Sequence, residues 1–264
     1  MAAAIVRAMC WHPVASVPVF SFALDLPARY RGKSGTDRSR HEAQCHQAII
    51  TSNGMTFLMS TPQIHLHKGD LPAGVGFGNS VAVDTETLGL NPHRDRLCLV
   101  QLSAGDGHAH LVQLDRQTYN APRLTALLAD SAITKIFHFA RFDVAVLEKY
   151  LGVATAPIYC TKIASKLVRT YTDRHGLKDL AAEVLGIELS KQQQSSDWGS
   201  AELSQQQLAY AASDVLHLHA IKAKLDIMLD RDDRRGFAEA AFELVPVRAR
   251  LDLAGFPEDD IFSH

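Results

Sequence analysis

The chain has 264 residues, 27 Lys and Arg against 29 Asp and Glu, a net charge of −2 and 47% hydrophobic residues, enough for one folded domain with a real core plus an extension. That balance excludes a whole-protein basic field, the usual driver of strong sequence-independent nucleic-acid binding, so any such contact must be local. Four cysteines at positions 10, 45, 98 and 160 have neither zinc-site pairing nor the density of a disulfide scaffold and suit a reducing, cytoplasmic compartment; no apolar run approaches the roughly 20 residues of a membrane span, so the sequence reads as soluble.

Residues 1–54 mix Pro, Ser, Arg and His without a sustained period, which predicts a mostly disordered extension, or an upstream read-through if translation begins at Met55. The stretch "VASVPVFSFAL" after Arg7 is followed by no small-residue cleavage site and is not read as a signal peptide. The folded domain is placed at 55–264. "GVGFGN" (74–79) precedes a strand and does not join strand to helix, so it is a loop and not a nucleotide-binding fingerprint. "SVAVDTE" predicts a strand over 80–86, "GLNPHRD" a turn, and two further strands fall near 96–103 and 108–114 in an antiparallel meander. Pro122 opens a helix through Leu124, Leu127 and Leu128; "TKIFHF" is a short strand, "ARFDVAVLEKYLG" a helix ending at Gly152, and "PIYCTK" another strand. Helices follow over about 161–170, 177–185, 204–229 and 232–249. Strands first and then alternation with helices give a mixed α/β sheet flanked by helices, with a helical C-terminus.

Within this frame, acids stand where chemistry needs them. Asp84 and Glu86 sit at a strand end, and strand periodicity points both to one face. Two such carboxylates repel and resist desolvation unless a cation or a proton holds them together. Asp143, near the start of the "ARFD" helix, by itself reads as a complement to the helix N-terminus. Tyr210 and Asp214, four apart in "YAASDVLHLH", share one helix face while Leu208, Ala211, Val215, Leu218 and Leu225 supply the buried stripe.

Taken as a set, Asp-x-Glu, a helix-start Asp and Tyr-x-x-x-Asp resemble the DEDD-type 3′–5′ exonucleases in their Tyr-containing branch. Over residues 64–264 the chain resembles ribonuclease D, and more closely the short ribonuclease D-like nano-RNase C enzymes, on "VAVDTETLGLNPHRDRLC", "TKIFHFARFD", "CTKIASKLVRTYTDRHGLK", "SKQQQSSDW" and "YAASDVLHLH". The resemblance implies an RNase H-like (DnaQ-like) domain that hydrolyses short RNA from the 3′ end to nucleoside 5′-monophosphates. It implies two Mg²⁺ or Mn²⁺ ions, Asp84 bridging them, Glu86 and Asp214 completing one site and Asp143 serving the other; hard oxygen ligands are what such ions require. Tyr210 would orient the attacking water, and Leu90, six residues after Asp84, would wedge between the last two bases. A homo-octamer and a preference for dinucleotides are implied in the same way. DNA is the alternative substrate, and a non-catalytic scaffold the rival class.

The substrate groups are read more coarsely. Lys162, Lys166, Arg169, Arg174 and Lys178 against a single Asp173 form the best phosphate-attracting segment, equally readable as solvated helix faces. Lys191 and Gln194 lie in a polar stretch that could close over substrate, and His138 either contacts the 3′ end or is a satisfied histidine at a strand end. The pairs His65/His67, His108/His110 and His217/His219 do not read from spacing as transition-metal sites. No Ser stands in a nucleophile elbow.

Overall fold

A computed structural model describes residues 49–52, 55–58, 61–190, 192–193, 195–257, 261 and 263. A two-stranded antiparallel hairpin pairs β1 (Ile49–Ser52) with β2 (Met55–Leu58), so backbone pairing crosses the boundary that sequence places at residue 54.

The main sheet has six strands in the order β3 (Gln63–Lys68), β6 (His108–Gln113), β5 (Leu97–Ser103), β4 (Ser80–Thr87), β7 (Thr134–Phe137) and β8 (Ile158–Cys160). The β4–β5–β6 meander is antiparallel, whereas β3 joins β6, β7 joins β4 and β8 joins β7 in parallel. β5 is buried at every position, as a central strand covered on both faces must be. Helices α1 (Pro122–Ala129), α2 (Ala140–Leu151), α3 (Thr161–Val168), α4 (Leu177–Leu185), α5 (Gln205–Leu216), α6 (Leu218–Arg231) and α7 (Arg235–Leu253) complete the domain. One large apolar core unites β4, β5, β7 and β8 with Val144 and Leu147 of α2, Val215 of α5 and Leu225 of α6; a smaller one places Leu99 and Leu111 under Leu208 and Ala211 of α5 with Trp198.

Two elements depart from the sequence reading. The predicted 204–229 helix is two helices that break at His217 (φ −105°, ψ −5°), because α5 lies on β4, β5 and β6 whereas α6 leaves them to pack against α3 and α4. Strand β3 is an addition: its "QIHLHK" alternates Ile and Leu with His, and only pairing with β6 makes it a strand. At the C-terminal end, Arg141 of α2 grips Asp252 of α7 through two hydrogen bonds of 2.6 and 2.8 Å, and Arg248 reaches the same carboxylate at 2.6 Å. The helix that carries Asp143 is thereby tied to the last helix.

Candidate active site

Strand β4 delivers the first two acids. Its register with β5 runs Val83↔Leu102 and Asp84↔Gln101 and then shifts between Glu86 and Thr87; such irregularities bend a strand and re-aim its side chains. Asp214 reaches the same point from α5. That helix starts at a capping box, with the Gln207 amide donating to Ser204 Oγ at 3.2 Å and the Ser204 amide to Gln207 Oε1 at 2.9 Å, so its first turn is satisfied and its register defined. Leu208, Ala211, Ala212 and Val215 are buried against the sheet, which turns Tyr210 and Asp214 toward Asp84 and Glu86. One carboxylate oxygen from each of Asp84, Glu86 and Asp214 falls within 4.8 Å of the others.

Asp143 adjoins this trio and is anchored differently. It lies in the first turn of α2 and is 4% exposed, with the Thr85 hydroxyl donating to its Oδ1 at 2.7 Å. Burial and mutual repulsion dominate the electrostatics. Glu86 is pushed up to about 9 by burial and then by Asp214 and Asp143, Asp143 to about 7 by burial against the lowering bond from Thr85, and Asp214 to about 7 by burial against its bond with Tyr210. Asp84 rises well above the usual carboxylate range by burial and all three neighbours. Burial and the three acids also push the Tyr210 phenol up, so at neutral pH it is a hydrogen-bond donor and not a base. An all-oxygen donor set that cannot ionise fully by itself fits a hard divalent cation, which would supply the missing positive charge.

Around the acids lies a pocket of about 620 Å³ lined by Leu88, Leu90, His138, Phe139, Lys162, Lys178 and Tyr210 among others. Leu90 is 86% exposed, so it does not pack on the core. The turn that presents it is well built: Asp95 accepts from the Asn91 amide at 3.0 Å, and a side chain on Gly89 would meet the Asp95 carboxylate at 2.3 Å, so a larger residue there displaces the carboxylate that holds the turn. His138 Nδ1 pairs with Thr161 Oγ1 at 2.8 Å, and its Nε2 is buried without a partner among the described residues. Burial and Lys162 drive its pKa down to about 3, so the ring is neutral. Phe139 holds a left-handed backbone (φ 70°) as the N-cap of α2, is 45% exposed, and has the Lys162 ammonium 4.1 Å from its ring centroid. Neither Phe139 nor Thr85 is legible from spacing. A non-glycine residue with positive φ beside a carboxylate cluster is the structural signal that marks Phe139.

The basic segment needs correction. Lys162 and Lys178 line the pocket, but Arg169 is fully buried in an ion pair with Glu183 and Arg174 pairs with Asp179. The compensating acids, Asp179 and Glu183, lie in α4, just beyond the Lys162–Lys178 segment. Lys191 and Gln194 lie outside the described residues.

Comparison with known proteins agrees with this geometry. A family model described as 3′-5′ exonuclease, of the DNA polymerase A type, matches residues 71–230. Ribonuclease D of Acidiphilium cryptum is 32% identical over 68% of this chain and 45% of its own length; the chain thus spans less than half of that relative. Among solved structures, Brucella melitensis NrnC is 57% identical with a TM-score of 0.75 over 76% of this chain and 98% of that one. NrnC with bound Mg²⁺ matches at 55% identity and TM-score 0.74 over 76% and 99%, and NrnC bound to pGG at 56% and 0.75 over 76% and 98%. With the acids, the Tyr and the mixed sheet in place, the chain belongs to the metal-dependent 3′–5′ exonucleases of the DnaQ-like, ribonuclease D and NrnC type.

Proposed function

We propose that this exonuclease removes nucleoside 5′-monophosphates from the 3′ end of short single-stranded RNA, dinucleotides included. The observation that carries the reading is the pocket: it joins four acids, Tyr210 and an exposed Leu90 in about 620 Å³, a size typical of small-ligand sites. The chain is near neutral, and affinity for a polymer grows with the number of phosphates contacted; here it must come from the strand end. Asp84, Glu86 and Asp214 would hold one Mg²⁺ or Mn²⁺, with Asp143 serving a second. Two such ions supply an activated water and stabilise the departing 3′-oxygen.

The remaining work falls to the chain itself. Tyr210 donates a hydrogen bond that orients the attacking water while keeping its own proton. Thr85 holds Asp143 in place. Leu90 separates the last two bases, Lys162 and Lys178 attract phosphates, and His138 Nε2, without a hydrogen-bond partner among the described residues, is available to the terminal nucleotide. A cytoplasmic homo-octamer is the assembly the family resemblance implies, and Ile227, Phe237, Leu244 and Val247, exposed on α6 and α7, are apolar side chains that an interface would cover.

Matched RNA and DNA oligomers of two to about twenty nucleotides, with and without EDTA, test the reading. Fastest turnover on the shortest RNAs, abolished by EDTA, is expected. Turnover that rises steadily with length refutes end capture, preference for DNA replaces the substrate, and EDTA-resistant turnover removes the metal.

A further inference from the structure

Four histidines gather on β3 and β6, away from the acids. His65 and His67 alternate with Leu66 along β3. Leu66 packs with Leu99, Leu111 and Leu208 under α5, so strand periodicity sends both histidines to the opposite face of the sheet. The parallel register sets His65 against His110, and the four rings form a near-parallel array. His65 Nε2 lies 3.0 Å from His108 Nδ1, and His67 Nε2 lies 3.0 Å from His110 Nδ1. Ring centroids of His65 and His110 are 4.9 Å apart at 19°, and Phe77 closes one side edge-on to His110. Spacing within either strand does not reveal this array, because each His-x-His contributes half of it.

We infer that each of the pairs His65/His108 and His67/His110 offers two ring nitrogens to a borderline divalent transition ion of the Zn²⁺, Ni²⁺ or Cu²⁺ class, distinct from the hard ions of the carboxylate site. Neutral imidazole is the ligand such ions favour, whereas Mg²⁺ favours oxygen. Each pair already aims a ring nitrogen of one histidine at a ring nitrogen of the other across two strands. A tetrahedral Zn²⁺ with Zn–N bonds of about 2.0–2.1 Å holds two nitrogens about 3.3 Å apart. Exchange of the shared proton for the ion therefore asks for a few tenths of an ångström and a turn of each ring about χ2, which the exposed His108 and half-buried His65 can make. Bound there, the ion would clip edge strand β3 to β6.

The test uses the untagged full chain in excess Mg²⁺, which occupies the carboxylate site. Cu²⁺ is added and its electron paramagnetic resonance spectrum recorded; Zn²⁺ affinity is measured by calorimetry. The expected result is nitrogen hyperfine structure from imidazole ligation and a Zn²⁺ site that weakens about tenfold or more in His65→Gln and His108→Gln. A doubly substituted His65→Gln/His110→Gln chain, lacking one member of each pair, is expected to lose the nitrogen signal while keeping its nuclease rate and its metal-free melting temperature. An oxygen-only Cu²⁺ spectrum in the wild type, or equal Zn²⁺ affinity in wild type and the double variant, overturns the assignment.

Discussion

Replacing Asp214 by Asn should stabilise the metal-free protein while ending its function. In the folded chain Asp214 titrates at about 7, against about 3.9 in an unfolded chain. The folded state therefore binds more protons than the unfolded one between these values. The stability associated with the neutral carboxyl is fully present below about pH 4 and is lost as pH rises through about 7. A shift of about 3 units corresponds to about 4 kcal/mol once the group is ionised, and since the four acids share the repulsion, about 2–4 kcal/mol is expected for one of them. At about pH 8.5 in EDTA the Asn variant should melt about 5–10 °C above wild type, a gap that narrows toward about pH 5 and closes near about pH 4. Burial pushes His138 and His67 below the ordinary histidine range, so they titrate in the opposite sense below about pH 6.5. The quantity to follow is thus the difference between variant and wild type in parallel thermal scans. Saturating Mg²⁺ should invert the order, because the wild type gains binding energy that the variant forgoes. An Asn variant no more stable than wild type at high pH in EDTA, or a difference independent of pH, would refute the reasoning.

Other expectations concern single contacts. Asp84→Ala and Glu86→Ala should each lower kcat by several orders of magnitude, since removal of a metal ligand removes most of the charge stabilisation, whereas Tyr210→Phe should be milder; near wild-type turnover of Asp84→Ala in Mn²⁺ would contradict the site. Leu90→Ala should raise KM for a dinucleotide by about threefold and leave Mg²⁺-induced thermal stabilisation unchanged, because stacking on a base contributes roughly 1–3 kcal/mol for aromatic groups and less for Leu; both are read by steady-state kinetics and melting. Glu183→Ala should destabilise by about 1–2 kcal/mol in urea titrations, since it leaves the buried Arg169 guanidinium without its carboxylate while the exposed half of the pair contributes little.

The acids could be read from the sequence because each sits at a periodicity that local rules expose: Asp84 and Glu86 two apart on a strand, Tyr210 and Asp214 four apart on a helix. Their convergence could not, and came into the sequence reading through resemblance to a family. The meander and helices α1 and α2 are equally legible, since Pro122 opens the one and Gly152 closes the other. What failed to show had tertiary causes. β3 hides because its His residues mask the alternation until β6 lies beside it, and the break at His217 follows from where α5 and α6 pack, with no Gly or Pro to announce it. Arg169 looked like a phosphate ligand until Glu183, fourteen positions on, folded back onto it.

The separation of the acids along the chain has a consequence during synthesis. A ribosome makes protein from the N-terminus. Asp84, Glu86 and Asp143 emerge early, but the cluster lacks Asp214 until α5 has left the exit tunnel, and α2 lacks its Arg141–Asp252 tie until α7 follows. A nascent chain, or a fragment cut short before residue 214, thus lacks one of the three carboxylates whose oxygens gather within 4.8 Å in the folded domain. Since domains fold as units once their sequence is complete, cation binding at this cluster follows the packing of α5 on the sheet and cannot precede it.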